Sequence, residues 1–383
     1  MARRTSVERL RKGLGLGSLV ARGTRFLARP DPRRVMWLNY AVTYLCNSRC
    51  LTCNIWKKYR ETPELFDREL NLVEVKETFS SSRYLRHLEG IGLTGGEPFL
   101  RRDFVELAGF FIGQCPDALI SVATNGLETQ TIVQKTKDIL ARYSPRFFGL
   151  SVSLDGIGKV HDQARGVGGA YERVMATLDA LGRLDGVQVG LDYTITPHNY
   201  RDMPKVYGLA HNRGFKFLAS FAHNSSSYYG NEETQFTWSD QDLDELRSVI
   251  DEVVEAKVRN ESPLLKVVDP HAYFLLKIAD HARNNKRMFR CYSGTHSLFL
   301  DPYGNIYPCV ILDRPLGNIR DTKFDTLWLS PQAAEVRESI MRNECNCWVA
   351  CEAVPSLMRG LGVVAWNARN KFRPQFWSNA SSC

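Results

Sequence analysis

The sequence predicts an α/β fold, a partial (β/α)6 barrel followed by a smaller, cysteine-bearing C-terminal domain. From residue 36 to about residue 221, short β-rich runs alternate with helical patterns, the signature of repeated βα units around a parallel sheet. Residues capable of chemistry collect just after the strands, where parallel sheets build their sites in loops beyond the carboxyl ends. A chain of 383 residues with 44% hydrophobic content can bury one large core and a satellite.

Six strands are expected: Trp37 to Tyr44, Gly90 to Leu93, Leu119 to Ala123, Phe147 to Leu154, Val187 to Ile195 and Phe215 to Phe221. Helices are expected near Leu70 to Phe79, Asp103 to Gly113, Thr129 to Tyr143, Ala170 to Leu184 and Arg201 to Asn212, so five crossovers join six parallel strands. The polar and aromatic stretch His223 to Trp238 is then a long loop on the active edge, either a surface excursion or a place where substrate is met. Ser239, with Asp242 three residues on, opens a further helix whose buried stripe is Leu243, Leu246, Ile250 and Val253. Beyond Cys291 comes a hairpin with a tight turn at Asp301-Pro302-Tyr303-Gly304, and then cysteine-bearing loops. The expected units are a basic arm (1–35), the barrel core (36–221), a loop and helical connection (222–288), the cysteine-bearing domain (289–355) and a tail (356–383).

The formal charge of +8 is concentrated in the first 34 residues, where ten Lys or Arg face only Glu8 and Asp31. The rest of the chain is balanced, so no cationic body is available to bind nucleic acid. Val7, Leu10, Leu14, Leu19, Val20 and Phe26 would give the arm an apolar face able to lie on an anionic membrane. Its glycines favour instead a frayed tail or a helix packed on the main domain. No apolar run approaches the ~20 residues of a membrane span, and no signal-peptide pattern is present. The expected location is the cytoplasm, with peripheral membrane contact through residues 1–34 as the alternative.

Ten cysteines in such a chain point to metal ligation more than to disulfides. They group as Cys46, Cys50 and Cys53; Cys291 and Cys309; and Cys345, Cys347 and Cys351, with Cys115 and Cys383 alone. Three thiolates spaced x3 and x2 on one loop can ligate three irons of a cubane and leave the fourth open to a small chelating molecule. Spacing alone also admits tetrahedral zinc with a fourth ligand. Gly95-Gly96-Glu97-Pro98 follows the second strand, Thr124 and Asn125 end the third, Ser153 and Asp155 end the fourth, and His161-Asp162 and Arg165-Gly166 lie in the loop after it.

Cys46-Asn-Ser-Arg-Cys50-Leu-Thr-Cys53 after the first strand, with Gly-Gly-Glu-Pro after the second, resembles the signature of the radical S-adenosylmethionine (radical SAM) superfamily. The resemblance implies a [4Fe-4S] cluster on Cys46, Cys50 and Cys53 whose open iron binds the methionyl nitrogen and carboxylate of S-adenosylmethionine. Reductive cleavage would yield a 5′-deoxyadenosyl radical that takes hydrogen from a substrate, with electrons from a flavodoxin- or ferredoxin-type donor. By the same resemblance, the Gly95, Gly96, Glu97, Pro98 turn meets the methionyl amino group, and Thr124, Asn125 and Ser153 add polar groups. Asp155 would accept the ribose hydroxyls and Arg165 would pair with the cofactor carboxylate. The family places an aromatic residue or histidine before the third cysteine to pack on adenine; here Thr52 stands there, leaving Ile55 or Trp56 for apolar contact.

The span from Cys291 through Gly304 to Cys309, continued by Leu316-Gly317-Asn318-Ile319, resembles the opening of SPASM and twitch domains, C-terminal extensions with auxiliary iron-sulfur clusters. The full SPASM pattern has more cysteines than are present here. The implied complement is one auxiliary [4Fe-4S] cluster on Cys291, Cys309, Cys351 and one of Cys345 or Cys347, with zinc as the alternative. Four protein ligands would favour electron transfer.

The leading expectation is a radical SAM enzyme that oxidises or epimerises a small polar metabolite such as a sugar, aminocyclitol or envelope precursor. One alternative is maturation of a ribosomal peptide with a separate recognition partner, since only about 35 residues precede the first strand. Another is a non-catalytic iron-sulfur or zinc module, which an open iron and a Gly-Gly-Glu-Pro edge disfavour. Tyr228, Tyr229, His223 and Cys115 are positional candidates for hydrogen transfer.

Overall fold

The computed structural model describes residues 31–260 and 270–357. The membrane-binding expectation rests on residues 1–34, of which only 31–34 are described, and nearly all of the expected tail falls outside the described residues. Strands β1 (Trp37–Thr43), β2 (Gly90–Gly95), β3 (Leu119–Thr124), β4 (Phe148–Ser153), β5 (Gln188–Ile195) and β6 (Lys216–Phe221) are parallel and neighbour one another in chain order. They match the six expected strands within two residues. Helices α1 (Leu72–Ser81), α2 (Phe104–Gln114), α3 (Thr129–Tyr143), α4 (Lys159–Arg165), α5 (Ala170–Leu181) and α6 (Met203–Arg213) fill the crossovers. Right-handed crossovers between successive strands put every helix on the same side, which makes the sheet a partial barrel.

Side chains alternate across each strand with period two. Leu38, Tyr40, Leu93, Val122, Val152 and Leu191 are buried against the helices. On the inner face, Asn39, Thr94, Ser121, Ser151, Ser153, Asp192, Thr194 and Ser220 are partly accessible. The register sets Gly92 between Asn39 and Ser121, and Asp192 between Ser153 and Leu218. A closed barrel normally fills its interior with bulky branched residues; the inner face of this partial barrel is instead rich in small hydroxyls.

Helix α4 replaces part of an expected loop. It has only seven residues and starts and stops at Gly158 (φ 57°) and Gly166 (φ 62°), too short for a readable helical period. Helix α7 (Asp240–Asn260) begins as expected. The Asp242 N–H donates to Ser239 Oγ at 3.1 Å while Asp242 Oδ2 accepts the Ser239 N–H at 3.3 Å, satisfying amides that a helix start leaves open. Helices α8 (Pro270–Leu276) and α9 (Ile278–Asn284) lead to the C-terminal region.

The hairpin expected in a separate domain is built onto the barrel's own sheet. Strand β7 (Ser297–Leu300) pairs in parallel with β1, on the edge opposite β2, and β8 (Asn305–Tyr307) and β9 (Gly317–Asn318) continue antiparallel. Asp301 fixes the turn, its Oδ1 accepting the N–H groups of Tyr303 and Asn305 at 2.9 and 2.8 Å. Gly304 takes φ +93°, where a side chain would be strained. Helices α10 (Phe324–Trp328), α11 (Pro331–Met341) and α12 (Ala350–Leu357) close the described chain. No helix among the described residues is long and apolar enough to cross a membrane.

Candidate active site

The loop after β1 carries Cys46, Cys50 and Cys53, and three neighbouring segments hold it. The α4 carbonyls of Arg165 and Ala164 accept the N–H groups of Arg49 and Leu51 at 2.9 and 3.0 Å. A methyl group at Gly166 would stand 2.3 Å from the Arg49 carbonyl oxygen, so only glycine lets the helix end meet the loop. From β2, the amides of Gly96 and Glu97 donate to the carbonyls of Thr43 and Leu45, both at 2.8 Å. Added Cβ atoms at Gly95 and Gly96 would lie 2.1 and 2.3 Å from those same oxygens. The glycine pair expected to admit a ligand thus admits, on this side, the cysteine loop itself. From the β3 end, Asn125 Nδ2 donates to Asn47 Oδ1 at 2.7 Å.

Glu97 faces inward and is fully buried. Its carboxylate accepts Thr124 Oγ1 at 3.0 Å and the amides of Asn125 and Phe99 at 2.7 and 3.2 Å, joining the β2 and β3 ends. Burial raises its pKa to about 7. Pro98 starts the single tight helical turn that follows. Ser153 closes β4 on the inner face. Asp155 and Arg165, expected to meet ribose and carboxylate, pair with each other: Arg165 Nη2 lies 2.7 Å from Asp155 Oδ2. Asp155 Oδ1 accepts the Thr194 amide at 2.8 Å, and Arg165 Nη1 reaches the Cys50 thiol at 3.5 Å.

Two residues inside the cysteine motif went unremarked at the sequence level. Asn47 also donates to Glu128 at 3.0 Å, and Ser48 Oγ sits 3.2 Å from Cys50 Sγ and donates to the Arg165 carbonyl at 3.1 Å. Their position between ligand candidates was the available signal.

Leu51, Thr52, Asp155, Val160, Thr194 and Phe236 are among the residues lining a cavity of about 450 Å³ beside the loop, within the size range of ligand pockets. Ile55 is buried in the core and Trp56 carries Lys57 and Arg60 against its ring; neither lines this cavity.

The loop 222–238 ties the first cysteine group to the C-terminal one. Asn231 donates to the Thr52 carbonyl at 2.8 Å, and the Tyr229 and Gly230 carbonyls accept from Asn54 at 2.8 and 2.9 Å. On the other side Ser225 donates to the Val310 carbonyl at 3.0 Å, one residue beyond Cys309. The Tyr228 hydroxyl lies 3.1 Å from Thr94 Oγ1, and its ring packs on Tyr229 at 4.7 Å. His223 Nε2 accepts the Trp348 amide at 3.2 Å, next to Cys347. Cys115 is excluded from this assembly: it precedes β3, at the opposite end of the strands, and faces the carbonyls of Leu85 and Arg86.

The second thiol group surrounds a carboxylate that the sequence did not flag. Glu352 is buried; one oxygen accepts the hydroxyls of Ser293 and Ser297, both at 2.6 Å, and the other has no partner. Burial above all, with the Glu352 charge and neighbouring thiols adding to it, raises the pKa of Cys291 to about 11 and that of Cys347 to about 12, and pushes Cys309 and Cys351 up as well. Cys345 neighbours Cys347, and its thiol lies 3.2 Å from Arg287 Nη1.

None of the described cysteines forms a disulfide. Burial and the neighbouring Cys50 push Cys46 up to about 12, and Cys53 is raised by the same causes. Crowded thiols of this kind become stable thiolates only beside added positive charge. Among the described residues, no three His, Cys, Asp or Glu side chains converge where a single metal ion would sit. Three thiols on one loop, with the Arg165 guanidinium beside Cys50, suit the protein-held corners of a cubane, which stand wider apart than the ligands of a single zinc ion.

The model of the radical SAM superfamily matches residues 40–210, and that of the SPASM iron-sulfur cluster-binding domain matches residues 291–352. The chain is a radical SAM enzyme with a SPASM domain. Its cofactors are accordingly S-adenosylmethionine and [4Fe-4S] clusters at a radical and an auxiliary site. This radical SAM enzyme is 28% identical over 335 residues to pre-heme d1 synthase of Dinoroseobacter shibae, covering 81% of this chain and 77% of that protein. It is 26% identical over 318 residues to AdoMet-dependent heme synthase of Methanosarcina barkeri, covering 78% and 82%. Its fold is similar to the crystal structure of Streptococcus suis SuiB, with a TM-score of 0.54 and 15% identity over 86% of this chain and 72% of that one.

Proposed function

We propose that Cys46, Cys50 and Cys53 hold the radical-site cluster, that Cys291, Cys309, Cys347 and Cys351 hold the auxiliary one, and that the enzyme oxidises or epimerises a small polar substrate in the barrel lumen between them. The observation that carries the substrate class is the inner face of the sheet: Ser121, Ser151, Ser153, Thr194 and Ser220 offer hydroxyls, and Asp192 a carboxylate. A lumen of this kind favours hydroxyl- or amine-bearing molecules, whose polar groups need partners once they leave water.

When bound, S-adenosylmethionine on its cluster supplies a 5′-deoxyadenosyl radical for hydrogen abstraction. The chain's own residues position the parts. The cavity beside Leu51 and Thr52 has polar groups from Asp155 and Thr194 and apolar ones from Val160 and Phe236, matching the two sides of an adenosine. Arg165 places positive charge beside Cys50. Cys347 is preferred over Cys345 because it is buried beside Cys291, Cys309 and Cys351. The expected cytoplasmic location and the flavodoxin- or ferredoxin-type donor remain part of this reading.

A second reading takes its substrate from the relatives. Both are named for making hemes and align over about four-fifths of their lengths, which supports a tetrapyrrole instead.

The test is anaerobic reconstitution with iron and sulfide analysis, then dithionite and S-adenosylmethionine with detection of 5′-deoxyadenosine. About eight irons per chain and nucleoside formation that needs Cys46, Cys50 and Cys53 are expected. Zinc in place of iron, without nucleoside, would overturn the reading. Stimulation by an iron porphyrin but not by polyols or amino sugars would select the second substrate class.

A further inference from the structure

Asp192 lies on the inner face of β5, between Ser153 of β4 and Leu218 of β6. It is a charged group without a structural task. Asp155 is locked by Arg165 and Thr194, and Glu97 by Thr124, Asn125 and Phe99. The Asp192 carboxylate makes no hydrogen bond or salt bridge to any described residue, although its own backbone carbonyl is used by Leu154. Arg165 acts on it electrostatically without pairing, since that guanidinium is committed to Asp155 and Cys50.

Its setting joins the two halves of the molecule. On one side are Asp155 and Arg165, which brace the first cysteine loop; on the other, its charge reaches Tyr229 and Cys351. Partial desolvation and the Asp155 charge raise its pKa to about 6, while the side chain stays partly accessible from the lumen. An acceptor that is reachable from the lumen and is left unpaired by the protein can take a hydrogen-bond donor or cation from a bound molecule.

We propose that Asp192 is the anchor that positions substrate in the lumen, by accepting hydrogen bonds from an ammonium or a pair of hydroxyls on an amino-substituted or polyhydroxylated small molecule. This rests on the polar-substrate reading and deepens it. An anionic analogue of the same size would be repelled by the carboxylate.

Glucosamine and glucuronate are matched probes, similar in size and hydroxyl count and opposite in charge. Saturation-transfer NMR on the anaerobically reconstituted holoenzyme should show roughly tenfold or greater preference for glucosamine, the scale of a charge-assisted hydrogen bond. Asp192→Asn should remove the preference and Asp192→Glu should largely keep it, with iron and sulfide content establishing that each variant is assembled. Equal binding of the probes, no binding of either, or an unchanged preference in Asp192→Asn would overturn the assignment. Failure of the underlying function is separately visible as absence of 5′-deoxyadenosine.

Discussion

Arg165 bridges Asp155 and Cys50: one guanidinium nitrogen lies 2.7 Å from the carboxylate, another 3.5 Å from the thiol. The end of β4 and the loop after β1 are thus linked through one buried side chain. Arg165→Met would leave Asp155 charged, desolvated and unpaired, so we expect a loss of about 3–5 kcal/mol in urea unfolding. Asp155→Asn combined with Arg165→Met should recover much of it. Equal stability of wild type and Arg165→Met would mean that the pair contributes little.

His161 supplies a pH dependence. Its Nδ1 accepts the Asp155 amide at 3.0 Å, and burial, with Arg165 nearby, lowers its pKa to about 3. Below pH 6.5 the unfolded imidazole takes up a proton that the folded one refuses. The stability contributed by the neutral ring is therefore complete above pH 6.5 and declines by up to about 1.4 kcal/mol per pH unit as pH falls toward 3. Comparing wild type with His161→Gln between pH 7 and 5 should show a shallower slope in the variant; identical slopes would refute the assignment.

Gly96→Ala tests the docking of the cysteine loop. The new methyl would stand 2.3 Å from the Leu45 carbonyl oxygen and 2.9 Å from Cys46 Cβ, so the loop must shift. Overpacking of this kind costs about 1–3 kcal/mol, and here the strain falls on the ligand-bearing segment. Reconstituted Gly96→Ala should lose roughly half its iron, that of one of two clusters. Full iron content would show that the loop accommodates the methyl.

Asn231 holds the loop 222–238 in place. It donates to the carbonyls of Thr52 and His223 at 2.8 and 3.1 Å and accepts the Ser225 amide at 2.9 Å. Asn231→Ala would strip partners from buried backbone groups at about 1–3 kcal/mol each. Hydrogen exchange should accelerate across residues 222–238 while β1 to β5 keep their protection.

Cys345 and Cys347 are expected to differ. Cys345→Ser should retain auxiliary iron, whereas Cys347→Ser, which removes the thiol beside Cys291, Cys309 and Cys351, should lose it. Iron analysis and electron paramagnetic resonance of the reduced variants read the difference directly. The opposite pattern would exchange their roles.

Much was legible in the chain itself. Strand and helix positions followed from hydrophobic period, because the barrel's buried face needs an apolar side chain at every second strand position. The cysteine spacing was equally plain, since three ligands on one loop need only local sequence to meet one cluster. Asp192 could have been noticed in Gly190-Leu191-Asp192-Tyr193-Thr194, where alternation puts it on the same face as Thr194.

Tertiary structure alone decided the rest. Strand β7 is four wholly buried residues without alternation, so nothing local says that it joins β1. Glu97, Asp155 and Arg165 were legible as site residues, but their partners were not: each choice depends on which distant group arrives within 3 Å after burial. Periodicity is a property of neighbours in sequence, and a buried charge is settled by neighbours in space. For that reason the sequence could name the chemistry, and only the fold could say which carboxylate is spent on structure and which is left facing the lumen.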